Sequence, residues 1–165
     1  MINIERNQKI EVFGNAYYEL TETLRHLPRE MWHYRPSPNQ WSIHEIIIHL
    51  TDSEANSYVR FRKAISESGK PIMAFDQEAW ALHLDYANQS AEEHLELFKW
   101  LRAASYSILR KVSDSIWKHT VYHPVRGVIT LEDLLDINAN HVQKHIAQMK
   151  RVYELWRIQP HHQDA

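Results

Sequence analysis

Apolar residues recur every three or four positions along this chain, over stretches too long for strands, and that spacing does most to limit what it can fold into. Between Glu5 and Leu27, residues Ile10, Phe13, Tyr17, Leu20, Leu24 and Leu27 are separated by 3, 4, 3, 4 and 3 positions. Such positions share one face of an α-helix. Pro28 stops the pattern, and Pro36 and Pro38 keep the segment up to Trp41 in loop. A second helix opens sharply at Ser42-Ile43-His44-Glu45. In this capping box Ser42 accepts from the Glu45 amide while the Glu45 side chain reaches back. Ile43, Ile46, Ile47, Leu50, Tyr58, Phe61 and Ile65 carry it to about Glu67, before Gly69 and Pro71.

A third helix begins at Ser90-Ala91-Glu92-Glu93, again as a capping box, and buries Leu95, Phe98, Leu101, Ile108, Leu109 and Val112. A fourth begins near Thr130, with Asp133 three residues on, and runs as one rod through Leu134, Leu135, Ile137, Val142, Ile146, Met149, Val152 and Trp156 to Pro160. Only 3 glycines occur in 165 residues, which suits long helices and leaves out glycine-rich phosphate loops. The expected fold is all-α: one four-helix bundle spanning 1–165, with its core over about 5–157 and a short mobile tail at 160–165. The connections are long, about 14, 20 and 17 residues against ~2–8 in simple bundles. The last of them, His119 to Thr130, carries Val121, Tyr122, Val128 and Ile129 around Pro124 and Gly127, and reads as a small β-hairpin.

Charge and apolar content narrow the function. With 19 basic and 21 acidic residues the net charge is −2, so neither nucleic acid nor an anionic membrane surface is an expected partner. No apolar run approaches the ~20 residues of a membrane helix, and the first residues hold no apolar signal core, so the expected location is the cytoplasm. Without cysteine the chain has no thiolate nucleophile or thiolate ligand of its own. It does have 12 histidines, and its chemistry is sought there.

His141 and His145 form H-x-x-x-H on the fourth helix. Residues four apart on a helix stand one above the other, ~5–6 Å apart at Cβ, close enough for both rings to reach one ion at ~2.0–2.1 Å. They share the stripe of Leu134, Asn138, Met149 and Val152. Spacing alone leaves two readings open, a metal pair or a surface pair. His49 is the best third ligand, because Glu45, His49, Asp52, Ser53, Asn56 and Arg60 form a polar strip on the second helix at 100° per residue. That strip faces either the bundle interior or water. Three neutral imidazoles suit Zn²⁺ or Ni²⁺ and leave positions for water or substrate. Of the other histidines, His44 points away from the strip; His26, His33, His94 and His119 are expected in solvent; His83 sits in a loop; His161 and His162 belong to the tail. His123, in Tyr122-His123-Pro124, is kept as an acid–base candidate.

These residues together resemble the DinB-like four-helix metalloproteins, and more closely their YfiT-like branch. The resemblance rests on Trp41-Ser42 through His49-Leu50, Asp52-Ser53, Asn56 to Phe61, Asp76 to Trp80, Tyr122-His123-Pro124, Ile129-Thr130-Leu131 and His141 to His145. It covers about Arg35 to Met149. It implies a bundle with long crossovers, often a homodimer, and one divalent metal, zinc or nickel, on His49, His141 and His145. Several members look like transferases that join a low-molecular-weight thiol to an electrophile; others carry a metal-dependent hydrolase label. On this reading Asn56 and Arg60 line the cavity and bind an anionic group of a small-molecule substrate. An Arg60 ion pair with Asp76 or Glu78 is the structural alternative. Trp80 serves as a substrate platform or as packing, and Arg62 meets solvent.

Three functions compete. In the first, the metal activates a small thiol for S-transfer, the sulfur coming from a cosubstrate because the chain has none to offer. In the second, metal hydroxide hydrolyses an ester, amide or epoxide with His123 as base; H-E-x-x-H is absent, which argues against zinc-protease chemistry. In the third, a stress-linked bundle uses its metal only to staple helices.

Overall fold

The computed structural model describes residues 3–159; His161, His162 and the expected 160–165 tail lie outside the described residues. Helix α1 spans Asn3–Arg25, α2 Ile43–Ser66, α4 Ala91–Leu109, α5 Leu131–Ala139 and α6 His141–Arg157. The bundle has α2 packed on α4, and α1 packed on α4, α5 and α6. The α2 capping box forms as the sequence predicts. Ser42 Oγ accepts from the Glu45 amide at 3.2 Å, and the Glu45 carboxylate accepts from the Ser42 amide at 2.9 Å. At α4 only half of the expected box forms: Ser90 accepts from the Glu93 amide, and the helix stops at Leu109, short of Val112.

The fourth rod is not continuous. Asn140, at φ −103° and ψ 7°, separates α5 from α6. Asparagine side chains compete with the helical backbone for its hydrogen bonds. Asn138 does so here, donating to the Leu134 carbonyl at 2.7 Å. The Asn140 carbonyl then accepts from the Lys144 amide, so a new helix begins directly at His141.

The second long connection holds a helix the periodicity does not reveal. α3, Gln77–His83, is capped by Asp76, whose side chain accepts from the Ala79 amide. The expected hairpin forms from β2, Thr120–His123, and β3, Gly127–Thr130, paired antiparallel with Val121 opposite Ile129. Gly127 takes φ +74° at the turn, where a side chain would be strained. A further strand, β1 (Lys70–Pro71), joins β2 in parallel, a pairing the sequence gives no sign of.

The core falls into two apolar clusters with a polar waist between them. One gathers Leu20, Leu24, Ile46, Leu50, Phe98, Ile146 and Met149. The other gathers Ile10, Phe13, Phe61, Leu109, Leu131 and Leu135. At the heights that separate them along each helix sit buried Glu54 and Ser57 of α2, Arg102 and Ser105 of α4, and Asn138 of α5. Arg102 pairs with Glu54 at 2.6 Å, both side chains 2% exposed. Its guanidinium lies 3.9 Å over the Phe13 ring and donates to the Phe13 carbonyl. Ser57 Oγ donates to Asn138 Oδ1 at 2.6 Å. Buried charge is tolerated only when paired and hydrogen-bonded, and this layer meets that condition for most of its groups. Where α1 meets α4, Gly14 makes room for the Tyr106 ring: a Cβ there would stand 2.5 Å from Tyr106 Cε2.

Candidate metal centre

The waist opens on one side into the histidine cluster. His49 comes from the second turn of α2, and His141 and His145 from the first two turns of α6, which the break at Asn140 starts at that point. The ring centroids of His49 lie 5.6 Å from His141 and 4.8 Å from His145; those of His141 and His145 are 4.7 Å apart. One ring nitrogen from each lies within 4.8 Å of the others. The Nε2 atoms of His141 and His145 stand 3.2 Å apart. Two nitrogens bonded to one ion at ~2.0–2.1 Å with that separation subtend an angle of roughly 100°, close to tetrahedral.

The donor set fits a cation. His49 is 1% exposed, and neither of its ring nitrogens has a hydrogen-bond partner. A buried polar group left unmatched is costly, and a cation satisfies the free lone pair. Burial, reinforced by the neighbouring imidazoles, depresses the His49 pKa to about 3. Burial likewise brings His141 to about 3, with His145 and the more distant Arg102 adding to it. Burial lowers His145 as well. All three rings are thus neutral at pH 7 and keep lone pairs for a metal. Gln148 Oε1 accepts from His145 Nδ1 at 2.8 Å, which puts the proton on Nδ1 and leaves Nε2 free to coordinate. Gln148 escaped the sequence reading, although its position three residues after His145 is a signal for such a partner.

Aromatic rings pack around the cluster. Trp41 lies 4.7 Å from His49, Phe75 stacks on it at 6.1 Å, and Trp80 meets Phe75 edge-on at 4.8 Å. The open side is a cavity of about 520 Å³ reached by His141, Arg60, His123, Arg126, Phe75 and Ser53, and no Asp or Glu lines it. Asn56 and Trp80 face a neighbouring groove of about 370 Å³ with Val59 and Met73, and Arg60 borders both spaces. The strip residues therefore part company: Arg60 and Ser53 reach the histidine side, whereas Asn56 donates to the Asp52 carbonyl and Glu45 turns away to Arg35.

Arg60 has no carboxylate partner among the described residues, so the alternative pairing with Asp76 or Glu78 does not form; its guanidinium donates to the Met73 carbonyl at 2.8 Å. Burial lowers its pKa. His123 Nδ1 accepts from the backbone amides of Val125 and Arg126, at 3.1 and 3.3 Å. Burial, with Arg60 and Arg126 nearby, lowers its pKa.

The other histidines take structural places. His44 is buried, stacks on the exposed His33 at 4.3 Å and donates to the Gln89 carbonyl. His94 and His119, expected in solvent, are half-buried with ring nitrogens on the backbone carbonyls of Ser90 and Ile65. Arg62 lies over the Tyr58 ring rather than free in water. His26 and His83 are exposed.

A bundle with long crossovers and three converging imidazoles is a helical scaffold whose histidines could hold one metal ion. A model of the DinB superfamily matches residues 13–149, and the chain belongs to that superfamily. "Putative metal-dependent hydrolase YfiT" of Bacillus subtilis is 32% identical over 110 residues, 66% of this chain and 62% of that protein. "Putative metal-dependent hydrolase OB0782" of Oceanobacillus iheyensis is 34% identical over 109 residues, 66% of this chain and 63% of that one. The matches thus span less than two thirds of either relative. Among solved structures, YfiT from Bacillus subtilis superposes with a TM-score of 0.86 at 24% identity, over 93% of this chain and 89% of that one. A mycothiol-dependent maleylpyruvate isomerase superposes with a TM-score of 0.71 at 13% identity, over 90% of this chain and 63% of that one. These likenesses establish the four-helix fold. Among the described residues no helix is long and apolar enough to cross a membrane.

Proposed function

We propose that this chain is a metal-dependent transferase that joins a low-molecular-weight thiol to an electrophilic carbon. His49, His141 and His145 would hold one divalent ion, Zn²⁺ or Ni²⁺. Three neutral ligands leave such an ion its full charge, and it supplies Lewis acidity that lowers the pKa of a thiol or water on its open side.

The observation that carries the reading is a cavity reached by His141, beside three neutral imidazoles of which His49 is fully buried, with no carboxylate on its walls. A bound water would be acidified too, but its attack is assisted by a base that takes the proton, and the candidate for that role, His123, has its Nδ1 lone pair engaged by two amides. A thiol, with a pKa of ~8.5 before any activation, needs no such base. Trp41 and Phe75 pack against the His49 ring, Gln148 fixes the His145 ring, and Arg60 offers donors to an anionic group. In the net reaction the S–H bond and the bond from the carbon to its leaving group break, an S–C bond forms, and the proton departs with the displaced group as its acid.

The test incubates zinc-loaded or nickel-loaded protein with monochlorobimane and each of several small thiols. Thiol conjugation above the uncatalysed rate, with chloride released and lost in His145→Ala, is the expected result. Ester hydrolysis without any thiol requirement favours the hydrolase that the relatives' names suggest. Metal that raises the melting temperature without any turnover leaves a stapled bundle.

A further inference from the structure

Resting on that reading, we infer that Arg60, Arg126 and His123 form a subsite for a carboxylate on a small molecule bound beside the histidine cluster, with His123 acting as a neutral N–H donor and not as a base.

The three side chains reach the same cavity as His141. Neither guanidinium has a carboxylate partner among the described residues, and the cavity wall supplies none. Arg60 spends one donor on the Met73 carbonyl and keeps the rest, and a guanidinium presents five in a fork that matches a carboxylate. Arg60 is half-buried and Arg126 exposed, and the half-buried, unneutralised guanidinium favours an anion more strongly than one in open water.

His123 follows from its own hydrogen bonds. Both backbone amides at the hairpin turn donate to Nδ1, so Nδ1 bears no proton and Nε2 carries the N–H. To act as a base the ring would have to take its proton at Nδ1, displacing two amide donors. The lowered pKa, from burial and the two arginines, agrees. Two cations and one neutral donor round a site of neutral ligands select a ligand that brings negative charge. A free carboxylate has the size, charge and fork geometry to match.

Isothermal titration with succinate, on zinc-loaded and on metal-free protein, tests the subsite without turnover. Succinate is expected to bind both forms and dimethyl succinate neither. Arg60→Gln and Arg126→Gln should each weaken succinate about tenfold or more, with zinc stoichiometry and helical content as in wild type. Equal binding of the diester, or unchanged affinity in both arginine variants, overturns the proposal. ¹⁵N shifts of His123 should report protonation on Nε2; protonation on Nδ1 overturns the donor role. If no zinc is retained while succinate binding still depends on the arginines, the metal reading falls and the subsite stands. With turnover in hand, Arg126→Gln should erase the preference for a carboxylate-bearing electrophile over its methyl ester, or for N-acetylcysteine over its methyl ester. The first result assigns the carboxylate to the electrophile and the second to the thiol; loss of neither preference counts against the subsite.

Discussion

His141 and His145 hold their Nε2 atoms 3.2 Å apart on consecutive turns of α6, with His145 turned so that its other nitrogen donates to Gln148. Two neutral nitrogens at that distance either share one proton as an N–H···N bond or turn both lone pairs on a cation between them. His145→Ala should therefore abolish stoichiometric zinc binding while far-ultraviolet circular dichroism stays close to wild type. Gln148→Leu keeps all three ligands but loses the orienting bond, and should weaken zinc by roughly 10–100-fold in a competition titration. Unchanged metal content in His145→Ala, measured by elemental analysis, would remove the site.

The waist pair gives a second expectation. Glu54 and Arg102 are both inaccessible, so removing one strands the other in the core. Arg102→Met alone should cost about 3–5 kcal/mol in urea unfolding, whereas Glu54→Leu with Arg102→Met should recover most of that loss. A double variant as unstable as the single one would show that the pair contributes more than mutual compensation.

Gly14 gives a case in which helix propensity points the wrong way. Glycine inside a helix is worse than alanine by ~1 kcal/mol, so Gly14→Ala should stabilise α1 in isolation. In the fold the new methyl meets the Tyr106 ring at 2.5 Å, and overpacking of this kind costs ~1–3 kcal/mol. The net expectation is a lower melting temperature, with Gly14→Ala/Tyr106→Ala losing less than the two single effects combined.

His44 ties stability to pH. Burial chiefly, with the stacked His33 adding to it, holds its pKa below the ordinary 6.5. The unfolded chain then binds the proton more readily than the folded one. Its contribution is intact above 6.5 and is lost as pH falls below it toward the folded value. An NMR titration should place the His44 midpoint under 6.5. Between pH 7 and 5.5 the unfolding free energy should fall less steeply in His44→Gln, which keeps a donor for the Gln89 carbonyl.

What could be read in advance divides along the range of the interactions. The rods α1, α2 and α4 were legible because their apolar faces repeat over many turns, and the caps at Ser42 and Thr130 because they are local. The hairpin was legible from its apolar pairs round Gly127. The break at Asn140 was not: apolar spacing continues across it, and the competing force is a side-chain bond from Asn138. α3 is only 7 residues long, too short for periodicity to stand out. At the cluster, spacing related His141 to His145, but the meeting with His49 is a tertiary event that α2 and α6 arrange together. Arg126 gave no local sign at all, since its role depends on where the hairpin folds.

The strand pairing of Lys70 with Val121, backed by the Ile72 amide on the Tyr122 carbonyl, has a mechanical result. It stitches the segment bearing Met73 and Phe75 to the hairpin bearing His123 and Arg126. The doorway is framed by one welded piece, not by two flaps. The rim of the cavity on that side is then held by backbone hydrogen bonds as well as by side-chain packing.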